Sequence, residues 1–382
     1  MISYYSTVSL ITQQITGGYK MKKYAGMIVG GMAFTMAALS GCGQNVKVET
    51  TAAAVQTQTA AAETKADESK TDESKPTEGA TWKFSCFDAE GTPYVEAYKA
   101  MWDRVEEETG GKIKVEIYDL GQLGNESDLL SMLQTGGIDA AQIGASLLAG
   151  YDDAFNVGDL PFIFDSYEHA DRFAKTPEAE EMYAKLEDDG LKMYYMGIIG
   201  YRQPNLVKKV INSPDDFKGL KWRVMDSPIQ IKTMEALGAN PMIVAYSEIY
   251  SALDTGVVDA WMNDGVAFKN LSIAEVAPYY TDMPLFASTQ TCIVSKKSLD
   301  ALDEETRNTV ESILKEDLPG VVKAGWDQNK AGLEDLKANA FKEYSVVEDT
   351  APYLEKVQGV YDDLVKDYPD CQKYIDAINS VR

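Results

Sequence analysis

The chain of 382 residues carries 36 Lys and Arg against 60 Asp and Glu, a formal charge of −24, with one His and four Cys. That acidity excludes nucleic acid or an anionic lipid surface as the principal partner. One His excludes a multi-His metal centre and leaves at most one His-dependent catalytic group. Four Cys in a chain this long do not build a disulfide scaffold. With 45% hydrophobic and 10% aromatic residues, the composition suits a globular protein long enough for two domains.

Residues 1–41 read as a leader. Met1 to Ser40 hold no Asp or Glu, and Lys22 and Lys23 precede an uncharged stretch from Ala25 to Leu39 that ends in Leu39-Ser40-Gly41-Cys42. A positive start, a short apolar run and small residues before a cleavage point describe a secretory signal; the run falls short of the roughly 20 residues of a membrane span. The Leu-Ser-Gly-Cys ending is similar to a bacterial lipobox, which implies that Cys42 is acylated and anchors the mature chain to the membrane. An uncleaved signal anchor is the alternative. Met1 to Lys20 fit no targeting class, so translation is expected to start at Met21. Residues 42–80 lack aromatics, Leu, Ile and Met after Cys42 and bury too little apolar surface to offset the entropy of ordering. They read as a tether.

Folded structure is expected from about Thr81. WKFSCF (82–87) and KIKVEIY (112–118) read as strands flanking a helix over 93–108, with Val95, Tyr98, Met101, Trp102 and Val105 on one face and a stop at Gly110-Gly111. Strands alternating with helices predict an α/β fold with a largely parallel sheet. Residues 127–142, SDLLSMLQTGGIDAAQ, then align without gaps onto 247–262, SEIYSALDTGVVDAWM, with seven of sixteen positions identical. Each copy reads as a Ser-capped helix, a C-terminal Gly and a strand beginning around Ile138 or Val258. Two copies 120 residues apart are too distant for a solenoid and fit two similar α/β lobes. Ligands in open α/β sheets bind beyond the carboxyl ends of strands, which points to Gln142 in one copy and Trp261 to Asn263 in the other.

With these residues in hand, the chain resembles the substrate-binding proteins of tripartite ATP-independent periplasmic (TRAP) transporters. The motifs occur in family order: GKIKVEIYDLGQLG (111–124), DLPFIF (159–164), GYRQ (200–203), FKGLKWRV (217–224), ALGANPM (236–242), SEIYSALDTGVVDAWMN (247–263) and SKKSLDALDEET (295–306). The resemblance implies two α/β lobes around a ligand cleft, with a long helix leaning across both. On this reading 81–200 with about 291–330 form the first lobe, and 201–290 with about 331–382 the second. It further implies an extracytoplasmic receptor, without cofactor, that captures a small organic acid and delivers it to a TRAP-type membrane permease. The carboxylate-binding Arg of the family matches Arg223, a second cleft Arg matches Arg202, the cleft Asn matches Asn263, and the aromatic that packs on the ligand matches Tyr246. The usual Val-Asp-Gly-x-Glu-Asn reads Val-Asp-Ala-Trp-Met-Asn over 258–263. Ala260 and Met262 replace Gly and Glu, so Trp261 is expected to present an aromatic surface where a polar contact is missing.

Arg suits a dehydrated carboxylate because its planar fork donates two parallel hydrogen bonds and stays charged. Arg223 sits in an alternating strand, Leu220 to Val224, and either faces the cleft or an exposed edge. Phe162 and Gln142 are further candidates from the opposite lobe. His169, in SYEHADRF, is expected on a solvated helix surface. Cys86 and Cys292 lie in apolar runs as buried thiols, and a Cys292–Cys371 disulfide is left open. No P-loop, dinucleotide fingerprint, nucleophile elbow or zinc-spaced Cys pair occurs. The expected function is therefore binding without chemistry. A receptor for an ATP-driven importer or a chemosensor is the nearest alternative, and an extracellular enzyme on organic acids is the alternative from another class.

Overall fold

In the computed structural model, which describes residues 79–382, strand–helix alternation resolves into two copies of one unit. The leader, the Met21 start, Cys42 and nearly all of the expected tether lie outside the described residues. The first unit runs β1 (Ala80–Ser85), α1 (Pro93–Glu108), β2 (Ile113–Tyr118), α2 (Glu126–Thr135) and β3 (Ala140–Gly144). Pro93 opens α1, where its fixed φ suits the first turn. The helix buries Tyr94, Val95, Tyr98, Met101, Trp102 and Val105, and Trp102 meets Phe84 and Trp82 of β1 at ring-centroid distances of 5.6 and 6.3 Å. Strand β1 pairs in parallel with both β2 and β3.

Next come α3 (Tyr167–Ala174), α4 (Pro177–Ala184) and β4 (Leu191–Leu206). The second unit follows as β5 (Lys221–Val224), α5 (Pro228–Ala236), β6 (Asn240–Ile243), α6 (Ile249–Asp254) and β7 (Ala260–Asn263). Its first strand, β5, again pairs in parallel with the other two. The sequence repeat is thus the last helix and strand of a complete βαβαβ unit. Its identical Asp explains itself: Asp139 Oδ2 accepts the Lys83 N–H at 2.8 Å, and Asp259 Oδ2 accepts the Lys221 N–H at 3.0 Å, each tying the third strand to the first. Gly136 and Gly256 both adopt φ of +72°, the left-handed turn that lets the helix stop. The expected Ser caps are not observed. Asn125 caps α2 by accepting from the Asp128 N–H, which moves Ser127 into the first turn.

The chain continues through α7 (Gly265–Asn270), β8 (Tyr279–Asp282), β9 (Phe286–Ser295), α8 (Lys296–Asp300), α9 (Glu304–Asn339), β10 (Glu343–Val346), α10 (Ala351–Asp367) and α11 (Cys371–Ser380). Strand order is β2-β1-β3-β9-β4-β7-β5-β6. The long strands β4 and β9 therefore join the two units, with β4 pairing to β9 through Arg202 and to β7 from Gln203. Across this junction lies the 36-residue α9, packed on α1, β4 and α7. It approaches so closely that a Cβ on Gly265 would sit 2.9 Å from the Asn329 carbonyl oxygen.

Two expectations about the rest of the chain change. His169 is 1% exposed: its Nδ1 accepts from the Asp165 N–H, and Nε2 lies 2.8 Å from the Ile378 carbonyl oxygen on α11. The polar stretch around it is covered by a helix 200 residues later. That helix also departs from the second lobe, to which 331–382 was assigned. Its apolar face, Cys371, Tyr374, Ile375 and Ile378, packs on α3, α4 and residues 153–159, whereas α10 packs on α5. Cys86, Cys292 and Cys371 are free and buried, and burial pushes the Cys86 thiol up to about 12.

Candidate functional site

The repeat brings strand ends of the two units together beside the β4–β9 junction. Alternation along β5 sends Trp222 into the core, stacked on Phe217 at 4.8 Å, and turns Arg223 to the other face. Arg223 is 6% exposed, and its guanidinium Nε donates to the Val244 carbonyl oxygen at 3.0 Å. Arg202 occupies the point where β4 changes partner from β9 to β7. Its Nη1 donates to Asn263 Oδ1 at 3.2 Å, and its buried Nε has no partner among the described residues. Asn263 Oδ1 also accepts from the Asp264 N–H, and its Nδ2 has no hydrogen bond among the described residues.

Neither arginine forms an ion pair with a carboxylate in the described residues. Burial, and then the like charge of Arg202, pull Arg223 down to about 10, so it remains cationic at neutral pH. Glu126, in the first turn of α2, interacts electrostatically with both. Its Oε1 accepts the Gly144 N–H at 2.6 Å. Burial raises its carboxyl, against the Gly144 hydrogen bond and the charges of Arg202 and Arg223.

Two buried acids, Asp88 and Asp264, act electrostatically on Tyr246 together with Arg223. Asp88 follows β1, and its Oδ1 accepts from Gln328 Nε2 of α9 at 3.1 Å. Gln142 Oε1 accepts the Phe87 N–H at 3.2 Å, and its Nε2 donates to Gln290 Oε1 at 3.5 Å. Burial and the charge of Asp264 push the Asp88 carboxyl up to about 6. Asp264 caps α7 through Oδ1, accepting from the Ala267 N–H, and takes the Ser288 hydroxyl on Oδ2 at 2.9 Å. Tyr246 is 43% exposed. Burial of its hydroxyl end, followed by Asp264 and Asp88, raises its ionisation, and Arg223 pulls the other way.

Arg223, Arg202, Asn263 and Tyr246 thus share one electrostatic neighbourhood, and Gln142 lies at the Phe87 N–H. Phe162 is separate: among the described residues it has no hydrogen bond or ring contact with the arginines. Its φ of +61° and its N–H donating to the Leu285 carbonyl oxygen mark a bulky residue held in the left-handed region, at a cost of about 1–3 kcal/mol. Trp261 departs from expectation. It is fully buried, edge-on to Phe268 at 5.3 Å, with Nε1 donating to Asn205 Oδ1 at 3.1 Å. Its ring packs in the second unit's core and its one polar atom is spent, so it offers a ligand no surface. Met262 is likewise a core residue. Sequence reasoning missed Asp88, Asp264 and Glu126. The strand-end rule that found Gln142 and Asn263 would have found Asp88 had it been applied to β1.

The sequence model of the bacterial extracellular solute-binding proteins, family 7, matches residues 84–368. The C4-dicarboxylate-binding periplasmic protein DctP of Rhodobacter capsulatus is 30% identical over 291 residues, 74% of this chain and 86% of that protein. Two crystal structures share the fold. The sugar acid binding protein of Advenella mimigardefordensis in complex with galactonate gives a TM-score of 0.75 at 25% identity, covering 80% of this chain and 99% of that one. A TRAP periplasmic solute binding protein of Bradyrhizobium sp. in complex with galacturonate gives 0.74 at 27%, covering 79% and 100%.

Proposed function

The chain belongs to the bacterial extracellular solute-binding proteins, family 7, and from that premise we propose that it holds a small organic acid by its carboxylate on Arg223 and Arg202. The observation that carries this reading is the pair of buried guanidiniums with no carboxylate ion-pair partner among the described residues. Burying charge without a counter-ion is costly, and a ligand carboxylate supplies the missing charge in a shape the planar forks match. Asn263 Nδ2 adds a donor beside it, Tyr246 covers the ligand, and Gln142 reaches it from the first unit. Phe162 touches neither arginine by hydrogen bond or ring among the described residues; its strained backbone is the observation that supports a place for it in the cleft.

Binding proceeds without chemistry, as befits a receptor. The acids bound by the relatives, a C4-dicarboxylate, galacturonate and galactonate, bracket the class. The lobes, 81–200 with about 291–330 and 201–290 with the chain up to α10, close about β4, β9 and α9. The closed shape is what a TRAP-type permease distinguishes from the empty receptor. Outside the cytoplasmic membrane, acylated Cys42 and the tether of residues 42–80 keep the receptor beside that permease. Labelling cells with a radioactive fatty acid tests the anchor: the chain should take up label, and Cys42→Ala should not. Label on the variant removes the anchor from the account.

Thermal denaturation against a panel of organic acids tests the binding site. A ligand at 100 times its dissociation constant should add about 2.7 kcal/mol of stability. Arg223→Ala should abolish that gain while the ligand-free variant still unfolds cooperatively. A folded Arg223→Ala that retains wild-type affinity would falsify the assignment.

A further inference from the structure

We propose that Asp159 is a positioning residue for ligand binding: its buried carboxylate, shared between the two units, pins the segment that follows Arg223 to the first unit. The inference rests on the carboxylate-receptor reading and adds what holds Arg223 in register with the other half of the cleft. Asp159 lies on the stretch between β3 and α3 and is 2% exposed. Its Oδ1 accepts the hydroxyl of Ser146, two residues beyond β3, at 2.5 Å. Its Oδ2 accepts the Ser227 hydroxyl at 2.7 Å and Gln230 Nε2 at 3.3 Å, both from the start of α5 in the second unit. All three donors are neutral and themselves buried.

A carboxylate buried on neutral donors is costly, and apolar packing of the same volume often stabilises more. What the acid adds is geometry, because hydrogen bonds fix distance and angle where apolar surfaces can slide. Its partners carry that geometry toward Arg223. Ser227 Oγ accepts the Gln230 N–H at 3.3 Å, and Gln230 Oε1 accepts the Met225 N–H at 3.2 Å. Residues 225–230 are thus one cross-linked turn that begins two residues after Arg223. On the other side, Asp159 stands three residues before Phe162, whose N–H is held by the Leu285 carbonyl oxygen at 2.9 Å. The contact is also roofed. Helix α10 packs on α5 while its Tyr361 hydroxyl donates to the Pro161 carbonyl oxygen at 2.5 Å, and α11 packs on residues 153–159. Covered in this way, it is a fixed pin about which the units turn and not a latch that opens to admit ligand. Without the pin, the ligand has to order the two units itself, and that cost appears as lost affinity.

Asp159→Asn tests this, because Asn keeps the shape but turns an NH2 toward groups that donate. Ser146→Ala is the control, removing a hydrogen bond to the same carboxylate without touching the second unit. One readout is titration calorimetry at pH 7.5 with galacturonate, galactonate and succinate. The other is the distance between spin labels on Lys114→Cys and Lys218→Cys, exposed positions on β2 and just before β5, in a chain carrying Cys42→Ala. Asp159→Asn should weaken the tightest-bound acid at least tenfold and broaden the ligand-free distance distribution. Ser146→Ala should lower the urea midpoint and leave both readouts unchanged. Where Asp159→Asn does not fold, Ser227→Ala carries the same expectation. An affinity or a distribution left unchanged in the folded variant overturns the pin, and so do equal losses in Ser146→Ala, which make the carboxylate merely structural. The labels report without ligand, so failure of all three acids to bind the wild-type chain counts against the receptor reading while the distances still decide the pin.

Discussion

Asp88 is a buried carboxyl held up at about 6 by burial and by Asp264, and the sign of its contribution to stability follows. The folded state binds its proton more tightly than the unfolded chain, whose aspartates titrate near 4. Its contribution therefore falls as pH rises from about 4 to about 6 and stays low above that. A gap of about 2 pH units corresponds to at most about 3 kcal/mol. Asp88→Asn should thus be the more stable protein at pH 7.5 in urea denaturation of the ligand-free chain, with the difference vanishing toward pH 4. An Asn variant less stable at pH 7.5 means that the Gln328 hydrogen bond outweighs the burial of charge. Residue-scale legibility was uneven for a physical reason. Arg223 stood out as a cation in an alternating strand, but alternation left its face open, and the cleft roles of Arg223 and Arg202 came from the family resemblance. Trp261 and His169 were misplaced because strand alternation does not say which face is core when both are covered, and because the cover over His169 comes from α11.

At the scale of elements, the βαβαβ unit was legible wherever local chemistry sets it: the apolar stripe of α1, the left-handed glycines and the Asp that ties the third strand to the first. What could not be read was the junction. Strands β4 and β9 pair over a long sequence separation, and nothing local in either announces the partner. The path of α9 across that junction depends on small residues in other elements. Gly265→Ala tests this, since its Cβ would meet the Asn329 carbonyl oxygen, backbone that cannot swing aside, and Leu333 at 3.0 Å. Overpacking of this kind costs about 1–3 kcal/mol, readable as a lower urea midpoint with the slope unchanged. An unaltered midpoint would show that α9 has room to retreat and that close approach is not why Gly stands there.

For the whole molecule, a charge of −24 sits oddly with an anionic ligand until range is considered. Screening confines the general repulsion to about 8 Å at physiological salt, while the guanidiniums act inside the cleft at hydrogen-bond distance. The acidic surface thus disfavours nucleic acid and anionic lipid, and on the proposed assignment two placed cations decide what the receptor holds. Where a bound acid puts its carboxylate therefore decides whether these two cations hold the ligand. A crystal structure of the receptor with the tightest-binding acid of the panel measures this. The carboxylate should lie between Arg223 and Arg202, with Asn263 Nδ2 donating to it. A carboxylate bound elsewhere, with both guanidiniums still lacking an anionic partner, contradicts the account.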